Sequence, residues 1–223
     1  MRGMAAAGCL VPHRSPGPAA SNAGSMTEAE HITSAADPGG FPVPALPEIA
    51  FLGRSNVGKS SLLNCLTGKK GLAYTSSRPG CTQLINFFHV DRKTGSEGKL
   101  IFVDLPGYGF ARVPVEVKAR WKSLIESYLS QRQTLELAVV LLDARRGWMD
   151  ADLELKEWLE YQGIPYIVVA TKTDKLNRTE ETRGIAAIRK PNPDLVVVPF
   201  SAVTGRGARE IWQAISKTRN NRQ

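Results

Sequence analysis

The nine residues GRSNVGKSS, from Gly53 to Ser61, constrain the fold more than any other stretch of this chain. Two glycines remove side chains from a short turn, and Lys59 and Ser60 follow the second of them. Bare backbone N–H groups can approach anionic oxygens closely, and a following helix presents its own unpaired N–H groups to the same place. The segment LPEIAFL before the turn has the composition of a strand, and SSLLNCLTG after it that of a helix. The stretch therefore predicts a strand, a phosphate-binding loop and a helix.

The lysine and the serine add a charge and a metal-binding group to this loop. Lys59 carries a full positive charge, and the Ser60 hydroxyl can bind a Mg²⁺ ion that bridges the β- and γ-phosphates of a nucleotide. Magnesium suits this arrangement because it prefers substrate phosphate oxygens and takes only one or two ligands from the protein. The loop therefore predicts binding of a nucleotide together with magnesium.

The composition is that of an ordinary globular protein. The 223 residues suffice for one well-buried domain, and 42% of them are hydrophobic while 22% are charged. No apolar run approaches the roughly 18 residues that a membrane helix needs, so we expect a soluble protein with no membrane partner. Cys9, Cys65 and Cys81 show no CxxC spacing, which argues against a disulfide framework or a zinc site and fits a reducing cytoplasm.

The first 44 residues differ from the rest of the chain. They are rich in Ala, Pro, Gly and Ser and offer little to bury, so we expect residues 1–44 to be a disordered extension. The first acidic residue is Glu28, which leaves an organellar transit peptide as the alternative to a bacterial cytoplasmic protein. We expect the folded domain to span residues 45–217, followed by a basic tail at residues 218–223.

The net positive charge resides in the folded part. The chain carries 29 Lys and Arg against 21 Asp and Glu, and only two of these basic and three of these acidic residues precede residue 41. Such a surface attracts polyanions through counterion release, so nucleic acid is the expected class of partner, although a basic surface also serves solubility. The segments RVPVEVKARWK and SKTRNNRQ strengthen this prediction, but neither contains a known RNA-reading motif.

Strand and helix patterns alternate along the rest of the chain. LINFFHV and KLIFVDL predict an antiparallel pair, whereas LELAVVLLDA, PYIVVATKTD and LVVVPFSA are apolar runs typical of parallel strands buried on both faces. Amphipathic helices are predicted in VEVKARWKSLIESYLSQR, DLELKEWLEYQG and GAREIWQAISK. The predicted fold is a three-layer α/β P-loop NTPase domain, with a mostly parallel sheet of about six strands, one of them antiparallel, and helices on both faces.

Ligands of such sheets bind at the carboxyl ends of the strands, and short polar motifs follow three of the predicted strands. In the first, Asp104 to Gly107 (DLPG), the aspartate would hold magnesium through water and the Gly107 N–H would meet the γ-phosphate. In the second, Thr171 to Asp174 (TKTD), the Asp174 carboxylate could accept the N1–H and N2–H of guanine, a donor pair that adenine lacks.

The remaining parts of these motifs complete a guanine site. Lys172 would lay its aliphatic stem along the base, and Thr171 would tie its loop to the phosphate-binding loop. A backbone N–H at Ser201 or Ala202, after the last strand, could donate to guanine O6. Together with the phosphate-binding loop, the motifs predict a GTPase.

Five segments resemble the EngB family of TRAFAC-class GTPases: GRSNVGKSSLLN, SSRPGCTQLINFF, DLPGYGFA, TKTDKL and FSAVTGRGAREIW. The resemblance covers about residues 45–217. It implies a monomeric G domain that binds GTP and GDP with Mg²⁺ and assists late maturation of the large ribosomal subunit, in contact with ribosomal RNA. It also implies a requirement in cell division and septation.

The resemblance assigns nucleotide-binding roles by position. The residues implied are Gly53, Arg54, Ser55, Asn56, Val57, Gly58, Lys59, Ser60, Gly80, Cys81, Thr82, Gln83, Leu84, Asp104, Leu105, Pro106, Gly107, Thr171, Lys172, Thr173, Asp174, Phe200, Ser201 and Ala202. Among them Pro79 to Leu84 would form a switch loop, in which Thr82 is the second magnesium ligand after Ser60. Lys59, Thr82 and Asn56 are the implied catalytic residues.

Two residues near the predicted phosphate site, Tyr108 and Asn56, bear on the rate of hydrolysis. Many GTPases carry a water-orienting glutamine directly after D-x-x-G, but Tyr108 stands there in this chain, so we expect slow intrinsic turnover. Asn56 resembles an asparagine that coordinates K⁺ in related GTPases, or it merely stabilises the loop. Two alternatives remain open: a nucleotide-binding module with negligible hydrolysis, and a P-loop kinase or ATPase, which would not need TKTD.

Overall fold

The computed structural model describes residues 27–73, 84–93, 98–109 and 115–220. The strands are β1 (Thr27–Ala35), β2 (Glu48–Gly53), β3 (Ile85–Arg92), β4 (Gly98–Asp104), β5 (Leu135–Asp143), β6 (Tyr166–Thr171) and β7 (Val197–Pro199). They form one seven-stranded sheet in the order β1-β3-β4-β2-β5-β6-β7. Strand β3 is antiparallel to both neighbours, β1 and β4, whereas the pairs from β4 through β2, β5 and β6 to β7 are parallel.

The helices cover both faces of this sheet. They are α1 (Lys59–Thr67), α2 (Val115–Gln131), α3 (Asp150–Tyr161), α4 (Arg178–Arg189) and α5 (Ala208–Asn220). Apolar residues of α1 and α5 pack in one buried cluster, and those of α2, α3 and α4 pack in a second cluster on the opposite face. None of the helices in the described part of the chain combines the length and the apolar character that crossing a membrane demands.

Strand β5 shows why the central strands are almost continuously apolar. Leu137, Val139 and Leu141 face the α1 and α5 side, and the residues between them, such as Val140, face the α2, α3 and α4 side. Because successive side chains point to opposite faces, a strand covered by helices on both sides needs apolar residues at every position. The predicted three-layer α/β fold, with one antiparallel strand, is confirmed.

The sheet has seven strands rather than about six, because β1 lies in the segment predicted to be disordered. Thr27–Ala35 pairs with Ile85–Arg92, and only Ala29 and Ala35 of this strand are buried. Composition failed here because an edge strand gains most of its stability from backbone hydrogen bonds and cross-strand contacts rather than from buried apolar area. The predicted disorder is therefore wrong for β1, and residues 1–26 lie outside the described residues.

Two helices also differ from the prediction. Helix α4 lies between two predicted strands, where the alternation of strands and helices expects a helix, but it is not among the amphipathic segments named from the sequence. Asn177 and Glu180 form a capping box at its start, where each side chain accepts a hydrogen bond from the other residue's backbone N–H. Helix α5 continues to Asn220, so the segment predicted as a basic tail begins inside a helix. Arg219 donates to the carboxylate of Glu136 at 2.6 Å, which fastens this last turn to β5.

Candidate nucleotide-binding site

The loop between β2 and α1 has the geometry predicted for phosphate binding. Asn56 (φ 60°) and Gly58 (φ 111°) adopt the left-handed conformation, and α1 begins at Lys59 directly after them. A Cβ atom on Gly53 would lie 2.8 Å from the Val57 side chain, so the loop can fold this tightly only with glycine there. At the start of α1 no side chain among the described residues hydrogen-bonds as a cap, which leaves the first N–H groups to a ligand.

Lys59 and Asp104 face each other across this loop. The Lys59 ammonium donates to Asp104 Oδ1, and both side chains are almost completely buried. Ser60 follows Lys59 in the first turn of α1. The start of α1 and the end of β4 therefore supply an ammonium that suits phosphate, and a hydroxyl and a carboxylate, which are the hard oxygen donors that suit Mg²⁺. The predicted metal ligand Thr82 lies outside the described residues, as do Gly80, Cys81 and Gln83.

The DLPG segment is fastened directly to the phosphate-binding loop. The Ser55 N–H donates to the carbonyl of Tyr108 at 3.0 Å, and the Tyr108 N–H donates to the carbonyl of Gly53 at 3.4 Å. Gly107 lies against the backbone of Ser55, because a Cβ atom at Gly107 would stand 3.2 Å from it. Leu105 and Pro106 are buried behind the loop. The backbone that is predicted to meet the γ-phosphate is thus placed beside the loop that is predicted to bind the other phosphates.

Thr171 ties the TKTD segment to the phosphate-binding loop, as the sequence predicted. Its hydroxyl donates to the carbonyl of Val57 at 2.7 Å and lies 3.1 Å from that of Leu142. Lys172, in the left-handed conformation (φ 61°), donates from Nζ to the carbonyl of Asn56 at 2.7 Å. Two successive residues of the TKTD segment therefore hold the loop between β2 and α1 in place.

Asp143 is a candidate site residue that the sequence reasoning missed. It ends β5, and its carboxylate lies 3.0 Å from Lys172 Nζ and binds Arg145 through both oxygens at 2.8 and 2.6 Å. Burial raises the pKa of Asp143, but the hydrogen bonds from Arg145 and Lys172 outweigh burial and hold this pKa well below its ordinary value. A carboxylate at the carboxyl end of a buried strand was the available signal, since Asp104 occupies the same position on β4.

Asp174 and the segment after β7 form the outer wall of the site. The Ser201 hydroxyl donates to Asp174 Oδ1 at 2.7 Å, and the Thr173 N–H donates to the carbonyl of Phe200 at 3.3 Å. Asp174 is exposed, whereas Ser201 is buried beneath it. The Ser201 backbone N–H is already engaged with the carbonyl of Arg206 at 3.1 Å. Of the two backbone donors predicted for guanine O6, the exposed Ala202 is therefore the better candidate.

The Tyr108 side chain reaches from the DLPG segment to α3. Its hydroxyl donates to Asp152 Oδ1 of α3 at 2.8 Å. Burial, followed by the nearby Asp152 carboxylate, raises the pKa of Tyr108 well above its ordinary value, so the ring remains a neutral donor. No local sequence pattern indicates this contact, because the two residues are 44 positions apart.

Comparisons with known proteins relate this chain to GTPases. A family model described as "50S ribosome-binding GTPase" matches residues 48–172. The probable GTP-binding protein EngB of Solibacter usitatus is 57% identical over 194 residues, which cover 87% of this chain and 97% of that protein.

Two solved structures extend the comparison to the fold. A crystal structure of a probable GTP-binding protein engB is 31% identical, with a TM-score of 0.60 over 77% of this chain and 97% of that one. The structure of Era in complex with MgGDPNP and nucleotides 1506–1542 of 16S ribosomal RNA is 29% identical, with a TM-score of 0.64 over 77% of this chain and 56% of that one.

The long matches to GTP-binding proteins argue against the alternative of a P-loop kinase or ATPase. The relative from Solibacter is matched over nearly its full length, and the family model includes the phosphate-binding loop, DLPG and the start of TKTD. This chain belongs to the EngB family of GTP-binding proteins and is a GTPase.

Proposed function

We propose that this protein is a GTP-dependent switch that assists assembly of the large ribosomal subunit in the bacterial cytoplasm. The observation that carries the proposal is the link between its guanine and phosphate sites. Thr171 and Lys172 bond to the phosphate-binding loop, and Asp174 stands two residues further on at the open rim. The residues proposed to recognise the base are thus hydrogen-bonded to the loop proposed to bind the phosphates.

In this proposal Asp174 accepts the two guanine N–H donors, and Ala202 donates to guanine O6. Gly53 to Ser60 hold the phosphates, with the Lys59 ammonium turning from Asp104 to the β- and γ-phosphates. Ser60, Thr82 and, through water, Asp104 hold Mg²⁺. When bound, magnesium neutralises charge on the β- and γ-phosphates. The Gly107 N–H and Thr82 sense the γ-phosphate, and its loss on hydrolysis releases both segments.

Turnover is expected to be slow without help, because the Tyr108 hydroxyl is engaged with Asp152 and offers no water-orienting amide. We propose that Asn56 holds a K⁺ ion that supplies positive charge at the phosphates. The backbone at Asn56 lies in the loop, fixed from behind by Lys172, which leaves its exposed side chain available. Hydrolysis rates in KCl and NaCl at equal ionic strength test this: a faster rate in KCl supports the role, and equal rates remove it.

The proposed partner is ribosomal RNA on the large subunit, met by a monomer. The basic balance of the chain favours a polyanion. The description of the matching family model names 50S ribosome binding, and the Era structure contains ribosomal RNA. A requirement in cell division and septation rests on the family resemblance and belongs to the same proposal.

Base recognition is tested with Asp174→Asn. An amide cannot accept both guanine N–H groups, so we expect the affinity for GDP to fall by about tenfold or more, which is about 1.4 kcal/mol. Competition with ATP measures the preference in both proteins. The assignment fails if the variant keeps the preference of the wild type for guanine nucleotides.

The ribosomal role is tested by co-sedimentation with purified large ribosomal subunits. We expect the protein to pellet with the subunits when a GTP analogue is bound and to remain in the supernatant when GDP is bound. Raising the salt concentration should weaken the association, because phosphate contacts release counterions. Equal sedimentation in GTP analogue, GDP and no nucleotide would rule out the switch, and no sedimentation in any state would rule out the partner.

A further inference from the structure

Tyr108 is held at both ends by different parts of the molecule. Its backbone makes two hydrogen bonds to the phosphate-binding loop, at Gly53 and Ser55. Its hydroxyl makes a third, to Asp152 at the start of α3. Tyr108 directly follows Gly107, so the backbone that is proposed to meet the γ-phosphate cannot shift without moving this side chain or breaking its bond to α3.

Asp152 is placed to respond to that movement. Its side chain is buried, Oδ1 accepts from Tyr108, and Oδ2 accepts from the Met149 N–H at 3.1 Å, which closes the first turn of α3. Burial raises the pKa of Asp152, and the two hydrogen bonds oppose that rise. Loss of the Tyr108 hydroxyl would leave one carboxylate oxygen without its donor inside the protein, which is costly.

The same tyrosine lines a cavity of about 240 Å³ between α2 and α3. Trp121 and Ile125 contribute one wall from α2, and Leu155 and Trp158 contribute the other from α3. A displacement of Tyr108 therefore changes the surroundings of both helices at once.

We infer that Tyr108 is a positioning residue that links the γ-phosphate contact at Gly107 to helix α3 through its hydrogen bond to Asp152. In the GTP state, Gly107 bonds the γ-phosphate, and the Tyr108–Asp152 bond holds the segment in that position. In the GDP state no γ-phosphate restrains Gly107, so the Tyr108–Asp152 hydrogen bond holds α3 less firmly. This inference rests on the proposed switch, and it identifies α3 as the element that reports the nucleotide state.

The test compares Tyr108→Phe with Tyr166→Phe. Both substitutions remove one hydroxyl that donates to a carboxylate of α3, since Tyr166 bonds Glu160 at 2.7 Å. Of the two tyrosines, Tyr108 connects α3 to DLPG, whereas Tyr166 lies in β6. For Tyr108→Phe we expect the affinity for GDPNP to fall by about fivefold and that for GDP to change by less than about twofold, because Gly107 contacts only the γ-phosphate. For Tyr166→Phe we expect neither affinity to change beyond about twofold.

Hydrogen exchange of the α3 amides provides a readout that a general loss of stability would not imitate. In the wild type we expect slower exchange over Asp150–Tyr161 with GDPNP than with GDP, and we expect Tyr108→Phe to remove this difference while Tyr166→Phe keeps it. Equal exchange in the two states of the wild type would overturn the inference, even if Tyr108→Phe did not fold. Equal loss of GDP and GDPNP affinity in Tyr108→Phe would also overturn it. A wild type without preference for guanine nucleotides would refute the proposed function instead.

Discussion

At the scale of single residues, Asp143 shows how a carboxylate can position the cationic side chains of a candidate site. It stands between two cations, Lys172 and Arg145, and the ammonium of Lys172 also holds the carbonyl of Asn56. Lys172 is in a left-handed conformation that is unfavourable for a residue with a side chain. The carboxylate helps to keep this lysine where its stem can lie beside a base.

Replacing Asp143 with Asn should weaken nucleotide binding. The amide keeps an acceptor but removes the charge, so Lys172 is held less firmly, and we expect a fall in GDP affinity of about tenfold. Titration with a fluorescent GDP measures this. The matched control is Asp194→Asn, an exposed aspartate after α4 that should leave affinity unchanged. An unchanged affinity in Asp143→Asn would contradict the positioning role.

The same residue predicts a dependence of stability on acidity. Because the pKa of Asp143 is lower in the folded protein than its ordinary value of 3.8, ionised Asp143 stabilises the fold above that value. This contribution should be lost as the pH falls below about 4 toward the lower pKa of the folded state. Urea denaturation measures the free energy of unfolding of the wild type and of Asp143→Asn. The difference between the two should therefore become smaller as the pH is lowered from 5 toward the pKa of Asp143 in the folded protein. A constant difference would contradict the assignment.

At the scale of secondary-structure elements, β1 and α4 show two different reasons why sequence patterns fail. Strand β1 buries few side chains and depends on the edge that β3 offers, which no local pattern can reveal. Helix α4 has a modest apolar face, with Ile188 as its one fully buried residue among those described, although its capping box is clear. Periodicity of apolar residues identifies elements that form the core and misses elements that only cover it.

The packing of β1 is tested by two aspartate substitutions on the same strand. Ala29 is 7% exposed and packs in the cluster with α1, whereas Ile32 is 43% exposed. Ala29→Asp would place a carboxylate in this apolar cluster, so we expect a loss of about 2 to 3 kcal/mol in the free energy of unfolding. Ile32→Asp should cost about 0.5 kcal/mol or less. Similar small losses in both variants would show that β1 does not pack on the core.

At the scale of the whole molecule, one end of the sheet forms the candidate nucleotide site, and the opposite end holds a buried hydrogen-bond network. At the end opposite the nucleotide site, the buried carboxylate of Glu48 binds the Arg132 guanidinium, the Tyr128 hydroxyl and the Thr134 hydroxyl. Burial and this carboxylate raise the pKa of Tyr128 well above its ordinary value. Glu48 begins the strand that Gly53 ends, so this network lies roughly 16 Å from the phosphate-binding loop.

This separation predicts that stability and binding can be changed independently. Glu48→Gln leaves Arg132 without its counter-ion in a buried place, and we expect a loss of about 2 to 3 kcal/mol in the free energy of unfolding. GDP affinity, measured below the unfolding transition, should stay within about twofold of the wild type. The control Glu157→Gln, on the exposed side of α3, should change neither quantity. A large loss of GDP affinity in folded Glu48→Gln would mean that the two ends are coupled.

Local sequence determined the central fold and most of the nucleotide site. Three kinds of pattern depend only on neighbours within a few residues: the glycine spacing around Lys59, the apolar runs buried on both faces, and the polar motifs after β4, β6 and β7. Their chemistry can therefore be recognised from the sequence without the fold. Tertiary structure alone decided that Thr27–Ala35 joins the sheet, that Asp143 supports Lys172, and that Tyr108 bonds Asp152. In each case the partner is distant along the chain, and only the closing of the sheet and its helices brings the two groups within hydrogen-bonding distance.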